Sequence, residues 1–151
     1  MKNKRGPYAL YSAAALVIML ACLMSISCSK TGSYPKATVS GAEVVVDTQT
    51  LSPDVPRFFT HRFRDKSINF FVIKINNNVL SFLDACKSCN PKLGFRFDNG
   101  HFTCKVCNTR YSVAEVEHGI GGCFPIRVPG AQRGNSYYIP VSAFEQYYSS
   151  F

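Results

Sequence analysis

The stretch DACKSCNPKLGFRFDNGHFTCKVCNTRY, residues Asp84 to Tyr111, constrains the fold more than any other part of the chain. It holds two CxxC pairs, Cys86/Cys89 and Cys104/Cys107, separated by fourteen residues. A CxxC turn points two thiolates at one centre while backbone N–H groups turn toward the sulfurs. Two such turns at this separation read as a four-thiolate site, suited to tetrahedral zinc at about 2.3 Å or to the irons of a cluster. Soft thiolates also take copper(I), so the spacing leaves the metal open.

The residues before each pair read as hairpins. INFFVIKI (68–75) is β-branched and aromatic, Asn76 to Asn78 supply a turn, and VLSFLD (79–84) returns into Cys86. GFRF, the turn DNG and HFTC repeat the pattern and deliver Cys104. AEVVVD (42–47) and SYYIPV (136–141) read as further strands, and RYSV as a short one. TQTLSPDVPRFF carries Pro53 and Pro56, which limits it to a loop or sheet edge. Ser142 and Glu145 have capping-box spacing, so a short C-terminal helix is expected there. No long helical period appears past residue 30. The fold class is therefore mostly β, a small sandwich or open barrel with two zinc-ribbon-like metal knuckles at one end. Phe95, Phe97, Phe102 and Tyr111 are expected to form the core face under the knuckles and to keep water off a cluster.

Other uses of the cysteines are weaker on chemical grounds. A thioredoxin-like site needs a CxxC opening a helix within a βαβ unit, and KSCNPKLGF is a poor helix start. Two CxxC disulfides would be strained and would suit thiol exchange more than stapling. A thiol–disulfide reductant stays as a third reading. Cys123, in GIGGCFP, follows two glycines that let the backbone approach another group. It reads as a fifth ligand, a replacement ligand, a partner thiol or a buried small residue, and these remain open. His101 reads as a turn-flanking residue, and His61 and His118 as surface residues.

The first 28 residues have a basic start (Lys2, Lys4, Arg5), an apolar run from about Ala13 to Met24, then small residues and cysteine. This is the layout of a secretory signal. Cys28, or alternatively Cys22, resembles the lipidated cysteine of a bacterial lipoprotein signal. An uncleaved anchor helix and simple secretion are the alternatives. Each places the domain on the extracytoplasmic side of a bacterial envelope, and the first two tether it to the membrane. Residues 29–41 read as a flexible linker and 42–151 as one metal-binding β domain.

The chain carries a formal net charge of +8, and removing Lys2, Lys4 and Arg5 leaves 14 basic against 9 acidic residues. That excess is scattered, apart from a cluster at Arg57, Arg62, Arg64 and Lys66, and no basic stripe interleaves with stacking aromatics, so nucleic acid is not an expected partner. The sequence contains no Ser-His-Asp arrangement, phosphate loop or HExxH. An electron carrier or metal-binding protein is expected in place of a hydrolytic enzyme.

The residues FFVIK, DACKSC, FTCKVCNTRYSV and GGCFPI together resemble the FtrD-like family of membrane iron–sulfur proteins, over about residues 42 to 140. The resemblance implies an extracytoplasmic metal or iron–sulfur domain tied to iron uptake and electron delivery. By that match Cys86, Cys89, Cys104 and Cys107 are ligand candidates, and Cys123 belongs to the family motif. Larger members carry several membrane helices, so a small redox relay is expected here in place of a permease. A looser resemblance is to Rieske domains, with Cys89 and Cys107 where those have histidine. Four cysteines imply a lower-potential cluster or zinc. The leading function is electron transfer or iron handling with a redox or iron-transport envelope partner. The alternative is a structural-zinc module that docks an envelope protein.

Overall fold

The computed structural model describes residues 34–90 and 92–150. The N-terminal signal or anchor, with Cys22 and Cys28, lies outside the described residues. Strands β1 (Thr38–Ser40), β2 (Glu43–Asp47), β3 (Arg57–Phe63), β4 (Lys66–Ile75) and β5 (Asn78–Cys86) come first. Then follow β6 (Phe95–Asp98), β7 (His101–Cys104), β8 (Arg110–Ser112), helix α1 (Val113–His118), β9 (Pro125–Val128), β10 (Ala131–Arg133), β11 (Ser136–Pro140) and helix α2 (Ser142–Glu145). They form three open antiparallel sheets in the orders β1-β2-β11-β10, β3-β4-β5-β9 and β6-β7-β8. The mostly-β class holds, as open sheets and not as a closed barrel.

The central sheet is apolar on both faces. Ile68, Phe70, Val72, Leu83 and Ala85 pack with Val44, Val46, Tyr137, Ile139 and Phe144 from the first sheet and its flanking helix. Phe71, Ile73, Ile75, Leu80, Phe82 and Cys86 pack the other way, with Phe95, Phe102, Cys104, Tyr111, Val113, Val116 and Cys123. Side chains alternate along a strand, so a strand covered on both sides loses its polar face. That is why INFFVIKI reads as a continuous apolar run.

Two tight turns set the register. Asn76 and Asn77 take φ values of 48 and 65, and Asn99 and Gly100 take 47 and 71. Both are two-residue loops with positive φ at each central position, the turn whose twist matches paired strands. Ile75 then pairs with Asn78, and Asp98 with His101. The second hairpin carries Phe102 onto Phe71, with ring centroids 4.9 Å apart. Phe97 stands 4.9 Å from Phe102 on the other side. The aromatic face expected under the knuckles is therefore present.

β3 begins directly after Pro56 and runs seven residues as an edge strand of the central sheet, within the loop-or-edge limit read for TQTLSPDVPRFF. The proline precedes the strand, so it removes no ladder hydrogen bond. Several elements differ from the sequence expectation. The chain joins the fold before residue 42: Ala37 N–H donates to Thr60 O at 2.9 Å, Thr60 N–H donates to Pro35 O at 2.9 Å, and β1 lies within the stretch read as linker. α1 was not foreseen. Ser112 Oγ accepts from Glu115 N–H at 3.3 Å, Glu115 Oε2 accepts from Ser112 N–H at 2.7 Å, and Gly119 closes the helix at φ 65. α2 is where expected, but Val141 is its N-cap and makes no side-chain capping bond. Burial of Ala143 and Phe144 holds this single turn in place.

His61, expected at the surface, is 6% exposed. Its ring lies 5.1 Å from that of Phe144, and among the described residues its Nε2 has no hydrogen-bond partner. Burial lowers its pKa from the usual 6.5. The unfolded chain therefore takes up this proton first as pH falls, so stability is lost from about pH 6.5 downward. His61→Leu removes an unsatisfied buried group, a cost of about 1–3 kcal/mol. The variant is expected to unfold at higher urea than the parent at pH 5, with a smaller advantage at pH 7.5.

Candidate metal centre

Each cysteine is delivered by a different device. Cys86 ends β5 and pairs with Pro125 of β9. Cys104 ends β7 and pairs with Phe95. Cys89 and Cys107 sit in the turns that follow. In the first knuckle, Cys89 N–H points at Cys86 Sγ at 3.3 Å. In the second, Cys104 N–H donates to Thr109 O at 2.9 Å, Asn108 N–H donates to Cys104 O at 3.0 Å, and Asn108 takes φ 58. Cys107 Sγ lies 3.1 Å from the Thr109 hydroxyl.

Cys123 comes from a third loop that is fastened to the first knuckle and to β8. Its N–H donates to the Tyr111 hydroxyl at 3.1 Å. Ser88 Oγ donates to Gly122 O, and Lys87 N–H donates to Phe124 O at 3.0 Å. Gly121 takes φ +102, and a Cβ there would lie 2.8 Å from the Tyr111 ring. Glycine at that position is what lets the loop close over Tyr111.

The sulfurs converge. Those of Cys86, Cys89, Cys104 and Cys123 all lie within 4.8 Å of one another. Cys89 Sγ is 3.5 Å from Cys123 Sγ and 3.9 Å from Cys104 Sγ. Cys107 Sγ is 3.1 Å from Cys123 Sγ. All five are free thiols. Cys86, Cys104 and Cys123 are buried, Cys89 is half-buried, and Cys107 is exposed. Of the spacing-derived set, Cys86, Cys89 and Cys104 share this group with Cys123, while Cys107 lies outside it and reaches it through Cys123.

Protonation differs across the cluster. The Thr109 hydroxyl, the Cys123 thiol and the Thr109 backbone N–H hold the Cys107 thiol down to about 6. Burial raises the Cys86 thiol, but contacts from Cys123 and the N–H groups of Cys89 and Ser88 outweigh it and bring the net value down. The neighbouring Cys86 pushes Cys89 up to about 12. Burial, then the surrounding sulfurs, drive Cys123 well above the ordinary thiol range. Negative charge on several sulfurs in one pocket is mutually unfavourable, and a cation removes that conflict.

Asp84 fixes the cluster-bearing sheet to the central one, a role that sequence reading missed. Its carboxylate is 3% exposed and accepts from Phe95 N–H at 2.7 Å and from the Tyr34 hydroxyl at 3.1 Å. Lys105 Nζ stands 3.9 Å away. Burial raises the Asp84 pKa, and the Phe95 N–H, Lys105 and Tyr34 pull it back. Gly94 passes so close, at φ +77, that a Cβ would lie 2.4 Å from an Asp84 oxygen. The available signal was a lone acid in an otherwise apolar strand, two residues before a candidate ligand.

The histidines stay outside the site. His101 Nδ1 lies 2.8 Å from Asn99 O at the hairpin turn, as expected. A sulfur-only donor set in an aromatic-lined pocket defines a thiolate metal-binding β domain. The family model for "Membrane iron-sulfur containing protein FtrD-like" matches residues 56–151, so this chain belongs to the FtrD-like family. No curated protein and no solved structure matches it. Among the described residues no helix is long and apolar enough to cross a membrane.

Proposed function

We propose that this chain is a membrane-tethered, extracytoplasmic iron–sulfur protein that relays single electrons in an iron-handling or redox system of the envelope. The observation that carries this reading is the convergence of four cysteine sulfurs within 4.8 Å of one another, with a fifth 3.1 Å from one of them, in a member of a family described as iron–sulfur. The donor set fits the group: every candidate ligand is a thiolate, and Phe95, Phe102 and Tyr111 limit water beside it. Geometry favours Cys86, Cys89, Cys104 and Cys123 as the holding set. An iron centre there supplies a reversible one-electron couple. The tether is a lipid on Cys28, or on Cys22, or an uncleaved N-terminal helix.

One observation favours a second reading. Four thiolates at about 2.3 Å around a single ion stand about 3.8 Å apart. The 3.5 and 3.9 Å sulfur separations at Cys89 match that single-ion spacing. The second reading is therefore one structural zinc ion, in a module that docks another envelope protein. Spectroelectrochemical titration of the anaerobically purified full chain separates the two. A visible absorption that bleaches and returns with one electron per centre supports the relay. A colourless, metal-bearing protein with no such transition rejects it in favour of zinc.

A further inference from the structure

Five thiols converge where four suffice. Tetrahedral thiolate sites and the common iron–sulfur clusters take four cysteines. The surplus has a definite arrangement. Four sulfurs lie within 4.8 Å of one another, and of their residues only Cys89 is not buried. Cys107 is the exposed member, yet its sulfur stands 3.1 Å from that of Cys123.

The two residues differ in how they are held. Cys123 is fixed by the Tyr111 hydroxyl at its own N–H and by Ser88 at the carbonyl of Gly122. Those two partners come from β8 and from the first knuckle, so its place in the cage is set by the protein. Cys107 lies in the surface turn KVCNT, beside the hydroxyl of Thr109. Exposed Val106 precedes it, and exposed Leu93 and Ile120 stand on the other two cysteine-bearing segments. A cage whose other sulfurs are mostly covered thus has one thiol facing solvent at its mouth.

We propose that Cys107 is the entry thiolate of the centre, taking an incoming thiophilic divalent ion from a labile chelate in solution and yielding it to Cys123. This rests on the metal-centre reading given above. The Cys107 sulfur forms the first bond to the ion as a ligand of the chelate departs. The Cys123 sulfur then bonds the ion, and the Cys107 bond breaks. The Cys123 thiol proton passes to the released Cys107 sulfur 3.1 Å away, so charge balances and no atom changes oxidation state. Stepwise exchange keeps the ion coordinated throughout, which avoids stripping its whole ligand shell before it reaches buried sulfurs.

The test uses the full chain in detergent, freed of metal under anaerobic reducing conditions and mixed with Co²⁺ held by a weak chelator. Thiolate-to-cobalt charge-transfer absorption gives both the number of sulfurs bound and the rate of binding. Cys107→Ser and Cys107→Ala are expected to reach the wild-type final absorbance about tenfold more slowly, equivalent to about 1.4 kcal/mol in the barrier. Cys123→Ser is expected to reach a lower final absorbance. Wild-type loading rates in both Cys107 variants would overturn the proposal. So would a loss of final absorbance as large as that of Cys104→Ser, since Cys107 would then be a permanent ligand. A wild-type chain that takes up no Co²⁺ would overturn the metal-centre reading itself, and the entry role with it.

Discussion

Cys104→Ser is expected to empty the centre. Cys104 is a ligand candidate by two independent routes, the CxxC spacing and the convergence of sulfurs. It is 0% exposed, so no solvent ligand can take its place without opening the pocket. Serine is nearly the same size but offers a hard oxygen where a soft thiolate is required. Groups that merely orient ligands carry about 10–100-fold in metal affinity. Loss of a ligand is therefore expected to cost at least about 100-fold, read as metal retained after dialysis against a chelator. Retention at the wild-type level would remove Cys104 from the site.

Gly94→Ala is expected to be the most damaging change that leaves every cysteine in place. Alanine at φ +77 costs about 1–3 kcal/mol in backbone strain. Its Cβ would also sit 2.4–2.5 Å from the atoms of the Asp84 carboxylate, which Phe95 N–H and Tyr34 hold in position. Overpacking of that kind adds about 1–3 kcal/mol. The total, about 2–6 kcal/mol, approaches the stability of a small domain. Gly100→Ala is the control. It also has a positive φ, 71, but nothing lies within 4 Å of its added Cβ, so only the strain remains. Urea midpoints of the two variants compare these terms directly. Equal losses would mean that the Asp84 contact does not hold the third sheet in place.

The hairpins and the knuckles were legible because their signals are local. Asn-Asn and Asn-Gly fix two-residue turns, and the turns fix which residues reach the cysteine loops. The apolar run of β4 was legible as a strand, but its meaning, a sheet buried on both faces, needed the layer formed by β6 to β8. The helix α1 was missed although Ser112 and Glu115 have capping-box spacing, because RYSV also fits a strand and the helix is only six residues long. The same pattern at Ser142 was given too much weight, since Val141 begins that turn. The sequence offered Cys123 as a fifth or replacement ligand among other readings, but its place among the sulfurs was not legible. That place depends on Tyr111 and Ser88 meeting a third loop, contacts spanning 12 and 34 residues of chain. Burial of His61 depends likewise on Phe144 arriving from the C-terminal turn.

The central claim is that the cysteines form one redox-active metal centre. Its most direct test is the content of iron, zinc and acid-labile sulfide in the full chain purified without oxygen, beside Cys104→Ser prepared in the same way. The account predicts iron and sulfide in whole-number ratio to the wild-type chain, and neither in the variant. Wild-type protein without iron would contradict it.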